Sequence, residues 1–146
     1  MPDNADLPLA GLRVIDAASF IAGPVSTTIL ADFGADVIKI EPPDGDPWRH
    51  RMGGHGVPES PFNYRWILDN RTKRGLALDL RQPAGRSVLH RLIERADVFA
   101  TNTPLDSRAR LGIRWEDLAP LNRRLVYASI TAYGERGEEA PRTGFD

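Results

Sequence analysis

The sequence predicts an α/β fold, a mostly parallel, Rossmann-like open sheet with flanking helices. Three observations predict it. Short apolar runs bounded by Gly and Pro alternate with stretches of helical periodicity from Leu12 to Tyr133. Prolines stand where two of the helical stretches open, and glycines where helices close. The apolar runs are nearly continuous rather than alternating, as strands covered on both faces must be. A sheet of this kind takes its ligands at the carboxyl ends of its strands.

The first run, "LRVIDAA" (Leu12 to Ala18), reads as a strand between Gly11 and the Gly23-Pro24 pair. Pro24 suits the first turn of a helix, and Val25, Ile29 and Phe33 recur at i, i+4 and i+8 as its expected core-facing stripe. Gly34 ends that helix. "ADVIKIE" (Ala35 to Glu41) completes a βαβ unit with a right-handed crossover. Residues 42–66 are rich in Pro and Gly, have no periodicity, and read as one long loop. "GLALDL" (Gly75 to Leu80) is the next strand. Pro83 then opens a helix with Val88, Leu89, Leu92, Ile93 and Ala96 along one stripe. "DVFATN" (Asp97 to Asn102) is a strand, "DSRARLG" a short helix closed by Gly112, "WEDLAPLN" a further turn or two, and "RLVYASITAYG" a last strand. The strand order is open at this level.

Composition narrows the function classes. The 146 residues carry 19 Lys and Arg against 20 Asp and Glu, so no overall charge favours nucleic acid or an anionic membrane. There is no cysteine, which excludes disulfides, thiolate metal sites and a thiol nucleophile within these residues. The amino terminus lacks a basic-then-apolar leader, and no apolar run approaches the roughly 20 residues that cross a bilayer. A soluble, cytoplasmic protein is expected.

Few stretches could carry chemistry. The Ala22-Gly23-Pro24 turn and the helix behind it could hold an anion on backbone N–H groups, or be a plain tight connection. The dinucleotide fingerprint needs three glycines where this turn has one, so Glu41 is a weak candidate for a ribose-binding acid. "LDNRTKRG" gathers Asn70, Arg71, Lys73 and Arg74, enough donors for a phosphate or two or for a solvated basic loop. Arg108, Arg110 and Arg114 could join that patch. His50 and His55 have no metal-ligand spacing, and His90 lies on the polar side of its helix. Trp48, Trp66 and Trp115 read as packing residues. No nucleophile elbow is present.

Taken in order, "AGPVSTTILADFGADVIKIEPPDGDPWR", "DNRTKRGLALDLRQPAGRSVLHRLIERADVF", "RARLGIRWEDLAPLNRRLVYASITAYGERG" and "RTGFD" resemble the N-terminal part of the class III CoA-transferases. This is the CaiB/BaiF family, which also holds the α-methylacyl-CoA racemases. The resemblance runs from about Leu9 to Asp146 and makes residues 1–146 the N-terminal part of a large, CoA-binding domain. It implies coenzyme A or acyl-CoA as substrate, no metal, a carboxylic acid as acceptor, and an interlocked homodimer at full length. By motif it places Ala22 near the thioester and Asn70, Lys73 and Arg74 on the phosphates or adenosine. Asn102 and Arg110 become further CoA contacts, and Tyr133 lines the acyl pocket.

Two departures qualify it. "ATNTPLD" replaces the family's usual loop after the fourth strand, and Ile21 stands where formyl-CoA transferases carry a glutamine. Phe145 occupies the position of the racemases' proton-moving histidine, which favours a transferase. The family's nucleophilic aspartate belongs to a segment beyond "GFD", so no catalytic residue is expected here and the isolated chain should not turn over. The alternatives are a racemase-like enzyme and a non-catalytic CoA-binding or dimerisation remnant.

Overall fold

A computed structural model describes residues 6–51, 53 and 56–144. Five strands, β1 (Arg13–Asp16), β2 (Asp36–Glu41), β3 (Arg74–Ala77), β4 (Val98–Thr101) and β5 (Val126–Ser129), form one sheet. Its order is β3-β2-β1-β4-β5 and every neighbouring pair is parallel. The expected α/β class therefore holds, and the order that periodicity left open is now fixed. The chain runs outward from β1 to β3, then crosses back to β4 and β5. The reversal lies between β1 and β4, and ligands of open parallel sheets bind outside the carboxyl ends at such a reversal.

Register sets the two faces. Ile15 sits beside Ile38 and Phe99, and Val14 beside Val37 and Val98. Because successive side chains alternate, Ile15, Ile40 and Phe99 pack on one face with Leu89 and Ile93 of α4 (Pro83–Ile93) and with Ile113, Leu118 and Leu125. Val14 and Val37 pack on the other with Ala31 of α1 (Ala22–Asp32) and Ala35. Pro83 opens α4 as expected, and Leu89 and Ile93 are fully buried.

The stripe expected for α1 is wrong. Ile29 and Phe33 face outward, 48% and 52% exposed, while Gly23, Pro24, Thr27, Thr28 and Ala31 form the inner face. Small inward side chains let the helix lie close to the sheet, and the threonine hydroxyls find partners there. Gly34 ends α1 at φ +103, where an added Cβ would meet Leu7.

Both ends of the 42–66 segment carry helix. Asp46 caps α2 (Pro47–His50), accepting from the Trp48 N–H, and Asn63 caps α3 (Tyr64–Asp69), accepting from the Trp66 N–H. Asn63 also donates to the Trp48 and Arg49 carbonyls, joining the two caps. The Arg49 guanidinium lies 3.4 Å from the centre of the Trp66 ring, and Arg65 lies 4.7 Å from that of Trp48. Further on, Gly112 closes α5 (Leu105–Leu111) at φ +68, and α6 (Trp115–Leu118) leads to β5. Trp115 stacks edge-on against Tyr127, so both it and buried Trp48 act as packing residues. Among the described residues no helix is long and apolar enough to cross a membrane.

Candidate functional site

The stretch from Ala17 to Phe20, between β1 and α1, lies at the sheet's reversal, and four side chains, those of Asp16, Lys39, Asp46 and Asn102, hold its backbone. Ala17 N–H donates to the Ala100 carbonyl, and Ala18 N–H to the Asp16 carboxylate. The Ala18 carbonyl accepts from Lys39 Nζ. Asn102 spans the reversal with both ends of its amide: Oδ1 takes the Ser19 N–H at 2.8 Å and Nδ2 donates to the Ser19 carbonyl at 2.8 Å. Phe20 N–H reaches Asp46. Phe20 itself sits at φ +63, a conformation rare for a bulky residue and sustained by these bonds.

Buried charge supports the turn from below. Asp16, fully buried, accepts from Thr27 Oγ1 at 2.8 Å and Lys73 Nζ at 2.8 Å. Lys39, 2% exposed, pairs with Asp46 at 2.9 Å. The Lys73 ammonium is saturated: besides Asp16 it donates to the carbonyls of Pro24 and Asp69 and to Asn70 Oδ1. Burial pushes Lys73 below its ordinary pKa and outweighs the attraction of Asp16. Glu41 accepts the Asp46 N–H and two Arg49 bonds, so it anchors the α2 region. Burial would raise its pKa, but Arg49, the Asp46 N–H and Lys39 together hold it below the usual carboxylate value.

Above this platform α1 begins without a cap. Its N-cap is Ile21, no side chain accepts from its first turn, and no acid lies there. The first helical bond is donated by Val25, and Pro24 has no N–H, so Ala22 and Gly23 present theirs at the positive end of the helix. Gly23 is required: an added Cβ would overlap that of Ala18 and come within 3.4 Å of Ile130.

The residues expected to bind a ligand divide. Ala22, Asn102, Lys73 and Asn70 meet around this turn, Ala22 exposed on it, Asn102 bonded across it, and Lys73 with Asn70 beneath it. Arg74 does not join them. Lys73, just before β3, and Arg74, its first residue, point to opposite sides, so Lys73 enters the α1 side while Arg74 pairs with Asp36 at 2.9 and 2.6 Å toward the amino end of the sheet. The basic patch disperses in the same way: Arg71 is on Asp32, Arg114 on Asp117, and Arg110 donates to Ser107. Tyr133 is 57% exposed, beyond β5. Phe145 and His55 lie outside the described residues.

Sequence reasoning missed Asp16, Lys39 and Asp46, and it placed Arg108 in the basic patch, which the structure does not bear out. Arg108 is 2% exposed and bonds Thr103 O, Ser129 and Glu135. The available signal was a charge inside an apolar strand, Asp16 in "RVID" and Lys39 in "DVIKIE".

Residues 9–146 match the model of CoA-transferase family III. The chain belongs to this family. It is 37% identical over its whole length to a cinnamoyl-CoA:phenyllactate CoA-transferase of Clostridium sporogenes, covering 35% of that protein. It is 39% identical over 95% of its length to the beta subunit of a succinyl-CoA–L-malate CoA-transferase of Chloroflexus aurantiacus, covering 34% of it. A crystal structure of a CaiB/BaiF family protein from Brucella suis superposes with a TM-score of 0.87 at 38% identity, over 96% of this chain and 37% of that one. The chain thus spans about a third of the length of the relatives it matches.

Proposed function

We propose that this chain supplies the coenzyme A-binding part of a CoA-transferase, which moves CoA between an acyl-CoA and a carboxylic acid. One observation supports this most: at the sheet's reversal, a turn fixed at every residue from Ala17 to Phe20 leads into a helix with a bare amino end. A thioester carbonyl gains partial negative charge when attacked, and preorganised N–H groups favour that charge. In this proposal the thioester end of CoA meets Ala22 and Gly23, and Asn102 fixes the loop beside it. Lys73 and Asn70 act from beneath, through the Pro24 carbonyl and Asp16. Arg110 would reach a CoA phosphate by exchanging Ser107 for it, Tyr133 would line the acyl pocket, and Arg74, held by Asp36 at the far end of the sheet, has no part in holding the coenzyme.

The chemistry proposed is covalent. An aspartate carboxylate attacks the acyl-CoA carbonyl, expelling CoA thiolate and leaving a mixed anhydride; the thiolate attacks the aspartyl carbonyl, releasing the donor's carboxylate and leaving an aspartyl-CoA thioester. The acceptor carboxylate attacks that thioester to form a second anhydride, and the expelled thiolate takes the acceptor's acyl group and frees the aspartate. That aspartate is not among residues 1–146, so none of these residues is given the role of nucleophile. An interlocked homodimer is part of the proposal. The outward Ile29 and Phe33 of α1, with Ile67 and Leu68 of α3 at 50% and 59% exposure, support a surface covered in the assembled enzyme.

The test is a transfer assay on the protein at its full natural length, with succinyl-CoA and a panel of carboxylic acids, new acyl-CoA being read by chromatography. Acceptor-dependent formation of a second acyl-CoA supports the proposal. Exchange of the α-proton of a 2-methylacyl-CoA in deuterated water without any acceptor would instead favour the racemase alternative. CoA binding with neither activity would favour the remnant.

A further inference from the structure

At the opposite end of the sheet from the turn lies a cavity of about 490 Å³. Its floor is apolar: Ile15 and Ile38 of the sheet face Val88, Leu92 and Ala96 of the α4 segment. Its rim is basic. Arg13 and Arg74 come from the first residues of β1 and β3, and Arg91 and Arg95 from the end of α4 and just beyond.

Four arginines line the cavity with two acids, Asp36 and Glu94, and Asp36 is already taken by Arg74. Arg13 bonds Asp97 only through its backbone N–H. Among the described residues, the guanidinium groups of Arg13, Arg91 and Arg95 have no hydrogen-bond or ion-pair partner. A helix carboxyl end favours cations, which accounts for two arginines beside it but not for their convergence with two strand arginines on one cavity. Two of the carbonyls at this helix end are engaged: Asn122 Nδ2 donates to those of Ile93 and Ala96. Glu94 lies on the rim without an ion pair, and among the described residues no carboxylate besides Asp36 and Glu94 lines the cavity.

We propose that this cleft is a second binding site, separate from the coenzyme turn, for a small organic phosphate with an apolar or aromatic body. Unpaired guanidinium groups suit a phosphate, to which they donate in pairs, and the floor takes the ring or chain it carries. The cleft is the right size, since small-molecule sites run from about 300 to 1,000 Å³. The inference rests on this end of the sheet and not on the proposed transferase activity.

The probe is adenosine 5′-diphosphate, titrated by calorimetry into the full-length protein saturated with coenzyme A, so that the turn is occupied. Arg91→Ala and Arg95→Ala change exposed side chains outside the core, and each should weaken ADP binding about tenfold while coenzyme A affinity stays unchanged. Arg13→Ala gives a third, independent reading. Inorganic pyrophosphate should bind more weakly than ADP, because it leaves the apolar floor uncovered. Abolition of ADP binding by saturating coenzyme A would overturn the proposal, and so would variants that bind ADP as the parent does.

Discussion

Replacing Lys73 by Met separates a buried structural cation from a free ligand contact. The ammonium side chain is 1% exposed and its partner Asp16 is fully buried, 2.8 Å away. Methionine keeps much of the stem's volume but leaves the Asp16 carboxylate with only Thr27 Oγ1 and the Ala18 N–H, and the Pro24 carbonyl without Lys73. Breaking a buried ion pair from one side costs about 3–5 kcal/mol, a large part of the roughly 5–15 kcal/mol that holds a domain folded. Urea unfolding of the full-length protein, followed by far-ultraviolet circular dichroism, should therefore show a marked fall in midpoint for Lys73→Met. The double variant Asp16→Asn with Lys73→Met removes the stranded charge, and should lie above the sum of the single losses by more than about 1 kcal/mol. An unchanged midpoint for Lys73→Met together with weakened CoA binding would refute the reasoning, because Lys73 would then be a ligand contact and not a support.

Three further outcomes follow from the site. Gly23→Ala should weaken CoA binding at least as much as it lowers stability, because the new methyl overlaps Ala18 and displaces the turn; calorimetry and thermal melts on the same sample compare the two. Asn102→Ala removes both Ser19 bonds across the reversal and should cost about 1–3 kcal/mol, with a larger effect on kcat/KM than Asn102→Asp, which retains the acceptor for the Ser19 N–H. Glu41 is held below its ordinary value in the folded state, so its contribution is fully present above about pH 4.5 and is lost as pH falls through the lowered value. Melting temperature measured from pH 6 to pH 3 should fall less steeply in Glu41→Gln than in the parent.

Much of the sheet was legible because buried parallel strands and the α4 stripe obey simple periods. Val88 to Ala96 point the way their spacing says they should. α1 was misread for a physical reason: its outer face carries Ile29 and Phe33 while its inner face is made of glycine, proline, threonine and alanine. Periodicity finds the most apolar stripe, and here that stripe is not the one against the sheet. The site divides along a similar line. Ala22 and Asn102 lie at the ends of elements; the turn pattern pointed to Ala22, and the family resemblance to Asn102. The pairing of Asp16 with Lys73 spans 57 residues and depends on which face of β3 each neighbour takes. A one-residue alternation sent Lys73 under the turn and Arg74 to the opposite end of the sheet, and a linear cluster such as "NRTKR" cannot show that separation.

The central claim is that the thiol end of coenzyme A lies at the turn before α1. The 146 residues contain no cysteine, so one introduced among them is told apart by the peptide that carries it. Ala22→Cys in the full-length protein, incubated with coenzyme A disulfide, should form a mixed disulfide far faster than Arg124→Cys, an exposed control just ahead of β5. Peptide mass mapping gives the rate at each position, and desulfo-coenzyme A should suppress the reaction at position 22 alone. Equal rates at the two positions, unaffected by desulfo-coenzyme A, would contradict the account.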